Sequence, residues 1–219
     1  MTDSPDPADL ERVAAAAGWT IPATVAGLAC GRTELDLIAR RLPADCAGSS
    51  VGGLGCIAVP DPDGPGRRTL LARALADHPG ALGPTVSPER FAASWREAAA
   101  AYGALEPAGL VLSEENLFEL LLAENRPRLK RIAGRRLAPL ATLTAKGSVR
   151  MLETLAASLA TGGEVAAIAG RLHLHPQTVR YRLKRLAELL GEQLSDPAVR
   201  LELHAALRAG VLESAVLGD

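Results

Sequence analysis

The sequence of 219 residues has few aromatic residues and no long apolar run. Phenylalanine, tryptophan and tyrosine make up 3% of the chain, so leucine, valine, isoleucine and alanine must build its core, and this composition favours close-packed helices. A membrane-spanning helix needs a run of about 18 apolar residues, and none is present. The acidic start, MTDSPDPADLERV, lacks the apolar core of a signal peptide. We therefore expect a soluble, cytoplasmic protein with no membrane partner.

Cysteine is also scarce, which argues against a fold held together by disulfides or by zinc. Cys30, Cys46 and Cys56 are odd in number and form no C-x-x-C pair, so neither a disulfide framework nor a zinc site is indicated. His173 and His175 stand close together, but no Cys, Asp or Glu accompanies them at metal-ligand spacing. We expect reduced thiols, no metal and no cofactor.

The formal net charge of -1 conceals an uneven distribution of charge along the chain. Residues 1–125 contain 9 Lys and Arg against 17 Asp and Glu, whereas residues 126–219 contain 15 against 8. The two parts therefore carry about -8 and +7. A basic part suits a polyanionic partner, because phosphate contacts supply most of the sequence-independent affinity for nucleic acids.

The basic part begins with a segment, residues 126–150, that has eight basic residues and no acidic one. These residues are Arg126, Arg128, Lys130, Arg131, Arg135, Arg136, Lys146 and Arg150. Such a run is consistent with a solvated helix face. It is also consistent with contacts to phosphates or to an acidic partner.

Residues 20–86 alternate between short apolar runs and amphipathic segments, in the order β-α-β-β-α-β. In the first strand, TIPATVAGLA, Pro22 favours an edge position or a late start. Gly52 and Gly53 separate two apolar runs, which predicts a hairpin. The order is that of the split-βαβ arrangement, so we predict an α+β fold with a ferredoxin-like N-terminal domain. In the helix that follows, we expect Phe91, Trp95 and Tyr102 to lie in the core.

The stretch GGEVAAIAGRLHLHPQTVRYRLKRL, residues 162–186, predicts a helix-turn-helix. EVAAIAGRL forms the first helix and HLH the turn. Pro176 is acceptable as the first residue of the second helix because its missing N–H has no helical partner there. Four apolar side chains of this second helix fall on one face at 100° per residue and should pack against the rest of the domain. They are Val179, Leu183, Leu186 and Leu190.

The other side of the second helix, about residues 176–190, carries the predicted DNA-binding side chains. Gln, Lys and Arg read base edges in the major groove, Thr contacts a thymine methyl group or a phosphate, and flanking arginines reach phosphates. His175 precedes the helix and either caps it or contacts a phosphate. The predicted set is His175, Gln177, Thr178, Arg180, Tyr181, Arg182, Lys184 and Arg185. The alternative is an ordinary solvated basic helix.

Residues 147–210 resemble the C-terminal helix-turn-helix domain of PucR/CdaR-type bacterial transcriptional regulators. The most specific segments are RLHLHPQTVRYRLKRL and LSDPAVRLELHAALR, and the resemblance implies DNA binding. Residues 20–125 resemble the degenerate GGDEF-like domain that often precedes it, in element order and in PDPDGPGRR and ALGPTV. The central hairpin has Gly52-Gly53-Leu54-Gly55-Cys56 where an active diguanylate cyclase has its acidic signature, so cyclase activity is not expected.

We thus predict a GGDEF-like α+β domain over residues 1–125, a helical connector over 126–145 and a PucR-type helix-turn-helix domain over 146–219. The leading hypothesis is a sequence-specific transcriptional regulator and not an enzyme. Its expected partners are double-stranded DNA, a second copy in a dimer or larger assembly, and an unidentified small-molecule effector. The alternatives are a scaffold that uses the basic part and a nucleotide-binding enzyme that uses the first part. The sequence shows no P-loop, acidic metal pair or nucleophile–base set that would support the enzyme alternative.

Overall fold

The computed structural model describes residues 12, 14–16 and 18–217, apart from the side chains at 192 and 217. The chain divides into two compact units, Met1–Leu120 and Leu121–Asp219. The first contains a β-sheet covered by helices and the second is helical, so the predicted α+β class is confirmed. None of the helices in the described ranges is both long and apolar enough to cross a membrane.

Five strands form the sheet of the N-terminal unit, in the order β2-β3-β1-β4-β5. They are β1 (Val25–Gly31), β2 (Ala47–Val51), β3 (Leu54–Pro60), β4 (Gly80–Leu82) and β5 (Leu110–Leu112). All neighbouring strands are antiparallel except β4 and β5, which are parallel. The predicted hairpin joins β2 to β3, and both of its glycines have positive φ, 57° at Gly52 and 86° at Gly53. A type I′ turn needs positive φ at both of these positions.

Strand β1 lies in the middle of the sheet, between β3 and β4. It begins at Val25, so the late start after Pro22 is confirmed and the edge position is wrong. Side chains alternate across a strand, and Leu28 is buried with Ile57 and residues of the two helices that follow β1 and β3. These helices are α1 (Leu35–Arg41) and α2 (Arg67–Ala74).

The long helix α3 (Phe91–Leu105) approaches the sheet closely because its buried residues are small. The fully buried side chains are Ser94, Ala98 and Ala101, whereas the predicted aromatic core residues are only partly buried. Tyr102 packs against a core cluster, as predicted, but all three rings stay at the edge of the core. The helix backbone lies too close to the sheet for large side chains, since a Cβ at Gly83, just after β4, would lie 2.1 Å from the Ser94 carbonyl oxygen. After α3 the chain forms β5, a strand of three residues that the sequence did not predict.

The C-terminal unit is built from helices joined by short turns. They are α5 (Arg126–Leu137), α6 (Ala145–Ala160), α7 (Val165–Leu172), α8 (Pro176–Leu190), α9 (Pro197–Arg208) and α10 (Leu212–Leu217), and α4 (Leu117–Glu124) contains the division between the units. Leucines of α5, α6, α8 and α9 share one buried cluster. The predicted connector, residues 126–145, includes α5, which packs against α9 and α10. Asp196 caps the start of α9, since its Oδ1 accepts a hydrogen bond from the Ala198 N–H at 2.8 Å.

Candidate nucleic-acid interface

Helices α7 and α8 are separated by only His173, Leu174 and His175. His173 ends α7 in the left-handed conformation, with φ 53° and ψ 44°. This conformation lets the Leu174 N–H donate to the Ala169 carbonyl oxygen at 3.0 Å. Leu174 is half-buried and packs with Ile168 and other apolar residues of the two helices. The predicted tight turn is therefore present, with His173 at the position where glycine is usual.

The left-handed backbone at His173 predicts that glycine would be more stable there. A residue with a Cβ pays about 1 kcal/mol to adopt this conformation, and glycine does not. We expect His173→Gly to raise the free energy of unfolding of the C-terminal unit by roughly 0.5–1 kcal/mol. Urea denaturation followed by circular dichroism measures this change. A loss of stability would instead show that the exposed imidazole makes a contact that outweighs the backbone cost.

The apolar seam predicted for α8 is confirmed. Val179, Leu186 and Leu190 are buried, and Leu183 is partly buried against the same clusters. Val179 packs with Ile168 of α7, while Leu186 and Leu190 belong to the larger cluster of the unit. The two clusters fix the rotation of α8 about its axis, because turning the helix would expose them.

This rotation turns the polar side of α8 to the solvent. The exposed residues are Gln177, Thr178, Arg180, Tyr181, Lys184 and Arg185. Tyr181 is 68% exposed, so its ring is available to a partner. Arg180 Nη1 lies 3.5 Å from Gln177 Oε1, and Arg185 Nη1 lies 2.9 Å from Glu188 Oε2. The face is thus basic overall, although Glu188 offsets the charge of Arg185 in the third turn of the helix.

Two more of the predicted residues, His175 and Arg182, have contacts that hold α8 in place. His175 caps α8, as expected, because its Nδ1 accepts a hydrogen bond from the Gln177 N–H at 3.2 Å. Arg182 is half-buried and its Nη1 donates to Thr154 Oγ1 of α6 at 3.4 Å. Arg182 therefore joins α8 to α6, a role that the sequence did not suggest. The sequence signal for this contact was Thr154, a polar residue between the leucines of α6.

The two aspartates of the segment PDPDGPGRR, in the N-terminal unit, accept hydrogen bonds that hold this loop in place. Asp61 Oδ1 accepts hydrogen bonds from the backbone N–H and the hydroxyl of Thr24, at 2.9 and 3.1 Å. Asp63 accepts hydrogen bonds from Thr85 and Arg68, and these hold the pKa of its carboxyl below the usual value. Within the described ranges, no group of three His, Cys, Asp or Glu residues is arranged to hold a metal ion.

The cysteines of this unit are poorly suited to nucleophilic chemistry. All three are free thiols. Burial raises the pKa of Cys30 to about 11, with Glu34 and Cys56 adding to the effect, and burial likewise raises the pKa of Cys46 and Cys56 to about 11. The nearby imidazole of His78 is engaged by Glu34, with Nδ1 and Oε1 3.1 Å apart. Because the thiolate is the reactive form, these thiols give no support to the enzyme alternative.

The helical arrangement of the C-terminal unit defines a helix-turn-helix protein. Residues 151–209 match the family model of the PucR C-terminal helix-turn-helix domain. The unit therefore contains a domain of this type, and the resemblance stated for its sequence is confirmed. The match includes all eight predicted site residues. The GGDEF-like resemblance of the N-terminal unit stays a prediction.

Two kinds of curated relative share sequence with the chain. An uncharacterized protein of Mycobacterium tuberculosis is 34% identical over 159 residues, which cover 66% of this chain and 35% of that protein. The purine catabolism regulatory protein of Bacillus subtilis is 43% identical over 58 residues, which cover 26% of this chain and 11% of that protein. The chain thus spans about a third or less of the relatives it matches.

A solved structure resembles the chain distantly. It is the regulator of polyketide synthase expression from Bifidobacterium adolescentis, with 22% sequence identity and a TM-score of 0.39. The likeness covers 94% of this chain and 87% of the other. It is too weak to define the fold or the function.

Proposed function

We propose that the protein is a sequence-specific DNA-binding transcriptional regulator that inserts α8 into the major groove. The observation that carries the proposal is the exposed basic face of α8, held opposite a buried apolar seam in a domain of the PucR C-terminal type. A recognition helix needs this division, because one side must pack and the other must meet the DNA. The regulatory name of the Bacillus relative agrees with the proposal.

Within the proposed complex, the residues of the exposed face divide into two groups. Gln177, Tyr181 and Lys184 lie near the middle of the face and contact base edges. Thr178, Arg180 and Arg185 lie towards its sides and contact phosphates or sugars, which orient the helix. His175 and Arg182 contribute through the cap and the bond to α6.

A single helix-turn-helix reads few base pairs, so we propose that the protein binds as a homodimer or larger assembly. Two-fold symmetry would place half-sites about 34 Å or a multiple of this distance apart. A small-molecule effector and a cytoplasmic location belong to the same proposal. The N-terminal unit, as a GGDEF-like domain, would then serve in regulation or dimerisation.

Selection of bound duplexes from a random pool, with the oligomeric state measured in parallel, tests the proposed function. We expect enrichment of one motif with repeated half-sites, and binding to it at least about a thousandfold tighter than to random DNA. Weak binding that is equal for all sequences would rule out specific regulation. Failure to bind DNA or heparin at all would favour the scaffold alternative, in which the basic face meets an acidic protein.

A further inference from the structure

The hydroxyl of Thr154, in α6, holds the guanidinium of Arg182, in α8. Arg182 Nη1 donates to Thr154 Oγ1 at 3.4 Å, and this hydroxyl donates to the Arg150 carbonyl oxygen at 2.8 Å. A hydroxyl has one hydrogen, and the backbone carbonyl takes it, so a lone pair of the oxygen faces Arg182. Thr154 is fully buried in the unit. The direction in which its oxygen accepts is therefore fixed.

The contact lies in the second turn of α8, on the flank of the exposed face. Thr154 meets Arg182, whereas Ala157, further along α6, shares a cluster with Val179, which comes earlier in α8. The two helices therefore run antiparallel. Arg182 and Thr178 are four residues apart and share one side of α8. Phosphate contacts are expected on this side, beside the residues that read the bases.

The charge of Arg182 is not balanced by a carboxylate of the protein. In the part of the chain that the structure describes, no ion pair includes Arg182. Arg185 differs, because its Nη1 lies 2.9 Å from Glu188 Oε2. A guanidinium has five N–H groups, and among the described residues only Thr154 accepts from that of Arg182. The edge formed by Nε and Nη2 is thus free, and such an edge suits two oxygens of one phosphate.

We propose that Thr154 is a positioning residue for DNA binding, whose hydroxyl holds Arg182 so that the guanidinium binds a backbone phosphate. This inference rests on the proposed function. The ligand is the phosphodiester backbone, whatever its base sequence. A free arginine side chain loses rotamer freedom when a phosphate immobilises it, and a side chain that is already held loses less. The hydroxyl therefore raises the affinity without contributing a charge.

Thr154→Val removes the acceptor and keeps a branched side chain of similar helix propensity. We would titrate the full chain with a short duplex of random sequence, by fluorescence anisotropy between about 50 and 200 mM salt. The affinity should fall about two- to tenfold, because Arg182 must now be ordered on binding. The slope of log K against log salt should keep its wild-type value, because the charge is retained. Thr154→Ser keeps the hydroxyl and should bind like the wild type.

Arg182→Met removes the cation and keeps much of the apolar stem. The lost phosphate contact should lower the salt slope by about 0.9. In this background Thr154→Val should not weaken binding further, because the hydroxyl acts through Arg182. The control is Arg136→Met, which removes an arginine whose Nε already lies 2.8 Å from Glu202 Oε2, and its slope should stay close to the wild-type slope. Circular dichroism checks that each variant retains its helices.

Several outcomes would overturn the inference while leaving the proposed function standing. Wild-type affinity in Thr154→Val would show that the hydroxyl is not needed, and an equal loss in Thr154→Ser would show that packing matters instead. The same loss from Thr154→Val with and without Arg182 would show that Thr154 acts by another route. A salt slope in Arg182→Met that is no lower than in Arg136→Met would exclude the phosphate contact. Absence of salt-dependent binding by the wild type would overturn the proposed function, and the inference with it.

Discussion

Gly83→Ala is expected to destabilise the N-terminal unit by about 3 kcal/mol, near the upper limit for adding one methyl group to a packed core. The added Cβ would lie 2.1 Å from the Ser94 carbonyl oxygen and 2.7 Å from its hydroxyl oxygen. The backbone of α3 would have to move away. This movement would break the hydrogen bonds by which Ser94 Oγ accepts from the Gly27 N–H, at 2.9 Å, and donates to the Pro84 carbonyl oxygen, at 2.6 Å.

Tryptophan fluorescence measures this effect selectively, because both tryptophans, Trp19 and Trp95, lie in the N-terminal unit. The matched control is Gly103→Ala in the same helix, where a Cβ would meet nothing within 4 Å. Alanine is a better helix former than glycine, so this control should be neutral or stabilising by up to about 1 kcal/mol. Equal unfolding midpoints for the Gly83 variant and the wild type would contradict the close approach of α3 to the sheet.

The packing that makes Gly83 important could not be predicted from the sequence. Periodicity shows which side of α3 is apolar, and it favoured the large aromatic side chains. How near the helix lies to the sheet depends instead on Gly27, which is 67 residues away from Ser94. Strand β5 was missed for a related reason: a strand of three residues is too short to show alternation, and it forms because β4 offers a free edge.

The helix-turn-helix was far more accessible to sequence analysis. The apolar seam of α8 follows from the spacing of residues within one helix, and the turn and the cap depend on residues that are consecutive in sequence. Periodicity and capping rules were therefore sufficient to predict them. The bond between Arg182 and Thr154 was not accessible, because it joins residues 28 positions apart whose rotamers depend on how α6 and α8 pack. Spacing alone placed Arg182 on the side of α8 without showing that it has a protein partner.

Substitutions on the exposed face of α8 should separate base reading from phosphate binding. Gln177 and Tyr181 lie one turn apart near the middle of the face, so Gln177→Ala or Tyr181→Ala should weaken binding to the selected duplex by about 1–3 kcal/mol, or roughly 5- to 150-fold. Binding to random DNA should change little. Arg180 lies towards the side, and Arg180→Ala should weaken binding to both duplexes about equally and lower the salt slope by about 1.

Fluorescence anisotropy with the selected and the random duplex, for each variant, measures both quantities. Arg40→Ala is the matched control, since it removes an exposed arginine from α1 in the N-terminal unit. A uniform loss in all three α8 variants would show that the face is assigned wrongly, because base contacts must discriminate between sequences. Wild-type affinity in all three would show that α8 does not enter the groove. If only Gln177→Ala and Tyr181→Ala lose the preference for the selected duplex over the random one, these two side chains contact the bases. Neither substitution removes a positive charge, so a loss of phosphate contacts could not explain that result.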